Sequence, residues 1–403
     1  DARPEQVQQL FKRTVAVGVS FGVVEVLGPR TPDGPIKVQV ATFRSDADYS
    51  DGRHPDAVTF STAHEDAERR DFTINGMFFD PLAERVIDYV GGEADLKAGI
   101  IRAIGDPVKR FTEDKLRLLR AVRFAARFAF TLDPGTAAAI KAMADTITVV
   151  SAERIADELR KLLTNLRRAD GMRLLEQVGL LKPILPELAA TVGFPHGRPA
   201  APDGDLWGHT LAVVERLPES ATFELAMAAL LHDVGKPRTV GRTPDRYTYH
   251  GHEHVGKRLA GVVSERLRLS TAERKRIEWL VEKHQYLADA PRLRHATLKP
   301  VLAHAGIREL LDLHRADARA SGRDLEAVEF CERCLRDWPP EELNPPPLVT
   351  GDDLKALGIP QGPAYKRLLD AVRDAQLDGI VKTKEQAVAM VSRLLAERDD
   401  LPR

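Results

Sequence analysis

Several clusters in this 403-residue chain carry side chains whose types and spacing could do chemistry. ERRDFTINGM (68–77) sets Arg70 beside Asp71, with Thr73 and Asn75 close behind. A guanidinium fork matches phosphate oxygens at two points, so this segment suits a triphosphate or an RNA phosphate. It equally fits a solvated helix face with ordinary ion pairs. In EDKLRLLRAVRF, the residues Glu113, Asp114, Arg117, Arg120 and Arg123 recur at about three-residue spacing. On one continuous helix, Asp114 and Arg117 would project into the same cleft. A carboxylate accepts from an exocyclic amine and a guanidinium donates to ring nitrogens and carbonyls, so the pair could read the edge of a base without a template. A helix surface laced with ion pairs is the competing reading.

Histidines gather after residue 200: His209, LLHDVGKP (230–237), YHGHEHVG (249–256), His284 and HRADARAS (314–321). The ordered set His, His-Asp, His, His, Asp suits a divalent transition metal or Mg²⁺. His232 and Asp233 would ligate one ion, completed by His209 and Asp317 from other helices. His254 and His284 would hold a second, bridged through Asp233, and metal-bound water would attack a phosphoester. His250 and His252 fit phosphate binding or a surface position. The alternative is a set of core histidines satisfied by carbonyls. Cys331 and Cys334 form a lone C-x-x-C. A structural zinc wants four ligands, so these are expected to be plain thiols.

The elements that must position these residues follow from the pattern. TVAVGV, GVVEVLG and PIKVQVATF within 13–45 read as three strands, with PRTPDGP (29–35) as a turn cluster. Residues 61–79 fit a helix capped by Ser61 or Thr62, leading to a strand at 86–90. Residues 111–128 read as one helix with Leu116, Leu119 and Val122 on an apolar face. Helical patterns then run over 134–146, 151–165, 170–179, 208–217, 223–233, 252–267 and 271–283. Pro/Gly-rich breaks at 193–205 and 337–353 read as linkers. With 43% hydrophobic residues, wholesale disorder is excluded. Two cysteines exclude a disulfide scaffold and point to a reducing compartment. No apolar run reaches the ~20 residues of a membrane span. The net charge of −1 means that any nucleic-acid binding comes from local patches.

RRDFTIN, followed by YVGGEADLKAGIIRAIGDPVKRFTEDKLRLLRAVRFAARFAF, closely resembles the class II tRNA nucleotidyltransferases and their poly(A) polymerase relatives. TFRSDADYSDGRHPDAVTF upstream resembles the same family, and the likeness runs from residue 1 to about 180. The tail from LVTGDDLKALGIPQGPAYKRLL onward also resembles these enzymes. There, helix starts after Gly351, Gly358 and Gly362-Pro363, with Lys366 and Arg367, could meet RNA phosphates or simply cap the body. The histidine-rich segment resembles the HD phosphohydrolase domain. The resemblance implies an α+β fold: a small, truncated N-terminal β-sheet nucleotidyltransferase head, then a long all-α neck, body, HD domain and tail. It implies Arg70, Asp71 and Asn75 near sugar and triphosphate, Asp114 and Arg117 as base readers, and Glu113 orienting them. Arg120 and Arg123 would support the triphosphate or the neck packing, and Gly91, Gly92 and Asp95 would belong to a flexible segment that resets specificity between C and A.

The family chemistry needs Mg²⁺ on a D-x-D pair, and the resemblance places that pair before Asp1. The expectation is therefore about 50 further N-terminal residues in the natural protein, and no polymerisation by these 403 alone. Asp46-x-Asp48 is set aside because it falls in the loop after the third strand of the family pattern. Gln39 stands where many members carry a Glu.

The expected domains are a partial head at 1–110, neck and body at 111–195, an HD-type domain at 206–335 and a helical tail at 348–403. The expected function is template-independent addition of C and A to the 3′ end of tRNA from CTP and ATP, with a metal-dependent phosphohydrolase in the HD domain. The alternatives are a poly(A) polymerase, a partial CC- or A-adding enzyme, an HD hydrolase with a degenerate head, or a non-catalytic RNA binder. The expected partners are tRNA, ATP and CTP, with no membrane and no obligate protein partner, in a cytoplasmic setting.

Overall fold

The computed structural model describes residues 2–16, 22–32, 34–46, 58–196, 204–243 and 247–399. The chain forms two compact units: Asp1–Val192 with Val263–Leu269, and Gly193–Val262 with Ser270–Arg403.

The first unit begins with helix α1 (Pro4–Leu10) and an antiparallel sheet of β1 (Thr14–Ala16), β2 (Val23–Thr31) and β3 (Gly34–Ala41). On β2 the period-two pattern turns Val24 and Val26 inward against Val7. Both strands run on into the expected turn cluster as far as the facing pair Thr31 and Gly34; a register shift between Leu27 and Arg30 absorbs Gly28 and Pro29. Gln39 is exposed and lies opposite Glu25. An antiparallel pair, β4 (Arg44–Asp46) and β5 (Val58–Phe60), follows. Asp48 lies outside the described residues.

The expected helix over 61–79 is much shorter. Helix α2 (Ala63–Glu68) starts on a capping box in which Thr62 and Glu65 satisfy each other's backbone N–H groups. It stops because the next residues pair with another segment: Thr73 N donates to Arg102 O, and Ile104 N donates to Asp71 O. A hairpin of β6 (Met77–Asp80) and β7 (Arg85–Asp88) leads into α3 (Gly92–Ala98). Gly91 there takes the left-handed conformation (φ 80°), and a side chain on Gly92 would sit 2.3 Å from Thr73 O. Asp95 of this segment is buried, accepting from Thr73 Oγ1 (2.7 Å) and Arg102 Nε.

Residues 111–128 are two helices. Helix α4 (Pro107–Glu113) and α5 (Leu116–Phe128) are separated at Asp114, whose backbone is extended (φ −146°, ψ 105°). Its carboxylate accepts from Leu116 N (3.0 Å), so the side chain competes with the helix backbone and caps the next turn. A short parallel pair, β8 (Ile100–Ile101) with β9 (Thr131–Leu132), ties the two ends of this region together. Helices α6 (Pro134–Met143), α7 (Ala152–Leu163) and α8 (Arg168–Gln177), then the single turns α9 (Leu181–Ile184) and α10 (Pro186–Ala189), complete the unit. Its core joins Phe72, Phe111, Leu119, Val122, Leu159 and Met172, all fully buried.

In the second unit, α11 (Leu206–Glu215) and α12 (Phe223–Leu231) are apolar nearly all round, and α12 is buried along its length. The single turn α13 (Lys236–Thr239) and the pair β10 (Gly241–Arg242) and β11 (Tyr247–Thr248) precede α14 (His252–Arg266) and α15 (Thr271–Lys283). Helices α16 (His295–Leu302), α17 (Ile307–Ala320) and α18 (Glu326–Asp337) follow. The Pro-rich 337–353 stretch contains α19 (Pro340–Leu343) and is strapped down: Arg373 donates to Pro345 O (2.6 Å) and Asn344 Oδ1 (2.7 Å). Helices α20 (Gly351–Ala356), α21 (Pro363–Leu377) and α22 (Lys384–Asp399) enclose a further core that includes Leu354, Leu368 and Val391. No helix among the described residues is long and apolar enough to cross a membrane.

Candidate functional sites

In the first unit a cavity of about 530 Å³ opens where the turn after α2 meets the α4–α5 junction. Asp71 and Asn75 line it from one side, Asp114, Arg117 and Arg120 from the other, and Arg154 of α7 from a third. Asp71 is buried and fully engaged. Its Oδ1 accepts from Asn75 Nδ2 (2.9 Å) and Phe72 N (2.9 Å), and its Oδ2 from Arg120 Nε (2.8 Å) and Nη2 (2.6 Å). Burial pushes the Asp71 pKa up, but Arg120 and Asn75 outweigh it and hold the value below the usual range. Arg70 also lines the cavity, anchored on Asp66 and on Asn75 O.

The break at Asp114 places the two expected base readers on opposite sides of a helix start, and both still face the cavity. Glu113 Oε2 accepts from Arg110 Nη1 (2.9 Å) and Arg117 Nη1 (2.7 Å), and Arg117 Nη2 reaches Arg69 O (3.2 Å). Arg117 thus keeps Nε without a partner among the described residues. Arg123, grouped with these by spacing, instead turns inward and pairs with buried Glu158. No carboxylate pair suited to Mg²⁺ faces this cavity among the described residues, because Asp71 and Asp114 are each taken by an arginine. Sequence reasoning missed Arg154 and Glu158; their partners lie 40 and 35 residues away, and no local spacing marks such a pairing.

The second unit holds the histidine cluster. His209 (α11), His232 and Asp233 (end of α12), His252 (start of α14), His284 (end of α15) and Asp317 (α17) converge and are all buried. Asp233 Oδ2 lies 3.1 Å from His232 Nε2 and 3.6 Å from His209 Nε2; its Oδ1 lies 3.2 Å from His252 Nε2 and 3.6 Å from His284 Nε2. Asp317 Oδ1 is 3.2 Å from His209 Nε2. His254, expected beside His284, is instead largely exposed and points to Glu253 and Glu282, while His252 stands beside His284. The first turn of α14 decides between them, since only His252 can donate Nδ1–H back to Tyr249 O (2.7 Å) from the buried face.

Three rings share that arrangement: His232 on Ala229 O (2.8 Å), His252 on Tyr249 O and His284 on Val281 O (2.7 Å). With Nδ1 protonated, each Nε2 of the neutral ring presents a lone pair. Yet His252 and His284 face each other through Nε2 at 3.4 Å, and His232 and His209 at 3.3 Å. Asp233 Oδ1 is buried without a hydrogen-bond donor. Converging lone pairs around an orphaned carboxylate oxygen fit a divalent cation. Two sets of donor atoms, His209–His232–Asp233 and Asp233–His252–His284, each lie within 4.8 Å of one another. Burial opposes charge on Asp233, but His232 and Lys236, whose Nζ is 2.6 Å away, hold its pKa well below the usual range. Burial also opposes charge on His232, but Asp233 raises its pKa, whereas burial lowers that of His284. The cluster opens through His252 and Lys236 onto a cavity of about 650 Å³ with Tyr249 and Tyr286 in its wall. Cys331 and Cys334 are buried free thiols, and burial pushes Cys331 up to about 12.

Three family models match the chain: the "Poly A polymerase head domain" over 1–102, the "Probable RNA and SrmB- binding site of polymerase A" over 129–191 and the "HD domain" over 206–322. The A-adding tRNA nucleotidyltransferase of Deinococcus radiodurans is 34% identical over 353 residues, covering 83% of this chain and 80% of that protein. The CC-adding tRNA nucleotidyltransferase of Thermus thermophilus is 35% identical over 344 residues, covering 81% and 76%. The crystal structure of the Bacillus stearothermophilus CCA-adding enzyme in complex with CTP superposes with a TM-score of 0.72 at 25% identity, covering 99% of this chain and 88% of that one.

Proposed function

We propose that this chain, which belongs to the tRNA nucleotidyltransferase family, selects the nucleotide for template-free addition to the 3′ end of tRNA. The observation that carries the reading is that Asp114 and Arg117 face one open cavity together with Arg70, Asn75 and Arg120. Cytosine and adenine both present an exocyclic amine next to a ring-nitrogen acceptor. Asp114 accepts from the amine and Arg117 donates to the ring nitrogen, while the oxygens of uracil and guanine at the amine position meet a carboxylate and are repelled. Arg70 and Arg120 stand where the triphosphate would lie, and Asn75 near the sugar. Glu113 holds Arg117 in its reading position, and Arg123 with Glu158 braces α5 against α7. The proposed parts are the head at 1–110, the neck and body at 111–195, the HD-type domain at 206–335 and the tail at 348–403. Mg²⁺ is the metal the polymerase chemistry calls for, and among the described residues the carboxylates of this cavity are already paired with arginines.

In the HD domain, His209, His232, Asp233, His252 and His284 would hold a divalent cation, with Asp317 beside His209, and the imidazole-rich set favours a transition metal over Mg²⁺. When bound, such an ion supplies a Lewis acid and an acidified water for phosphoester hydrolysis. The chain's own contribution is to fix the tautomers of three histidines and to hold Lys236 at the mouth of the site.

Calorimetric titration with CTP, ATP, UTP and GTP tests the polymerase reading. Tighter binding of CTP and ATP is expected, and equal binding of all four contradicts it. A second reading, addition of only CC or only A, draws on two relatives that match over most of this chain, whose names are CC-adding and A-adding. Ternary-complex formation on tRNA ending at its discriminator base or in CC, with CTP or ATP, separates the two.

A further inference from the structure

Arg154 and Asp114 meet fork to fork across 40 residues. Arg154 Nη1 donates to Asp114 Oδ1 (3.2 Å) and Nη2 to Oδ2 (2.7 Å), and both side chains line the nucleotide cavity. An ionised carboxylate offers about two lone-pair sites on each oxygen. On Oδ1 both are taken, by Leu116 N (3.0 Å) and by Arg154. On Oδ2 one is taken, by Arg154, and one stays open. Helix α7 carries a second tie one turn further on. Glu158 accepts from buried Arg123 and lies 3.9 Å from Arg120, the arginine that holds Asp71. The helix therefore sets the position of groups on both sides of the cavity.

Resting on the base-reading role assigned to Asp114, we propose that Arg154 is a specificity-determining positioning residue: it fixes the plane of the Asp114 carboxylate and leaves a single acceptor lone pair directed at the incoming base. One fixed acceptor accommodates the amine of cytosine or adenine and opposes the carbonyl of uracil or guanine. Released from Arg154, the carboxylate can turn about its side-chain torsions, so an oxygen of the wrong base no longer meets a held negative charge. Lysine at this position would keep the charge and lose the two-point geometry.

The experiment titrates CTP, UTP, ATP and GTP into the 403-residue chain and into its Arg154→Ala and Arg154→Lys variants, with far-UV circular dichroism and thermal melting as checks on folding. The expected result is that both variants narrow the CTP-over-UTP and ATP-over-GTP preferences by about tenfold, because it is the fork and not the charge alone that directs the lone pair. A folded Arg154→Ala chain with wild-type preferences overturns the proposal; where Arg154→Ala does not fold, wild-type preferences in Arg154→Lys overturn it. A wild-type chain that does not discriminate among the four triphosphates overturns the base-reading role itself, and this inference with it.

Discussion

Arg120 places both Nε and Nη2 on a single oxygen of Asp71, at 2.8 and 2.6 Å, joining α5 to the turn after α2 across 49 residues of sequence. Removing the guanidinium leaves a buried carboxylate without its cation. Arg120→Ala is expected to cost roughly 3 kcal/mol in urea unfolding at pH 7. The pair has a pH signature. The Asp71 pKa is depressed in the folded chain, so the pair's stabilisation is present above the ordinary aspartate value and is lost as pH falls through the depressed one. The gap in urea midpoint between wild type and Arg120→Ala therefore narrows from pH 7 towards acid. A gap independent of pH would contradict the pairing.

The histidine cluster separates two histidines that stand two residues apart in the sequence. Metal content by plasma mass spectrometry should fall at least about tenfold in His252→Ala and stay at the wild-type level in His254→Ala. The reverse pattern would restore the pairing of His254 with His284 expected from spacing.

Gly235 tests the cluster without replacing a ligand side chain. A Cβ there would lie 2.1 Å from His252 O and 2.8 Å from Gly256 N, both backbone atoms that cannot swing away. Gly235→Ala is expected to destabilise by about 2 kcal/mol and to weaken metal retention during dialysis by displacing the start of α14. Unchanged stability and metal content would show that α14 does not approach Gly235 this closely.

Much of this was legible in the sequence, for reasons that differ by residue. Helices such as α17 and α18 follow apolar periodicity, because burial dictates one face, while α11 and α12 show as continuous apolar runs. The strands at 14–41 follow β-branched residues and glycines. Asp114 misled the reading because a short polar side chain that ends one helix and caps the next looks, by spacing alone, like a residue inside a helix. A three-residue interval groups Arg123 with Arg117 and Arg120, yet 3.6 residues per turn rotates it towards Glu158. Arg154 carries no local mark because its role depends on a partner 40 residues earlier.

In the proposed selection, Asp114 and Arg117, not a template strand, choose the triphosphate. The most direct measurement is the ratio of CTP to UTP affinity in wild type and in Asp114→Ala. The expected result is a preference of at least about tenfold for CTP in wild type, abolished in the folded variant. Retention of that preference after the carboxylate is removed would place nucleotide choice elsewhere in the protein.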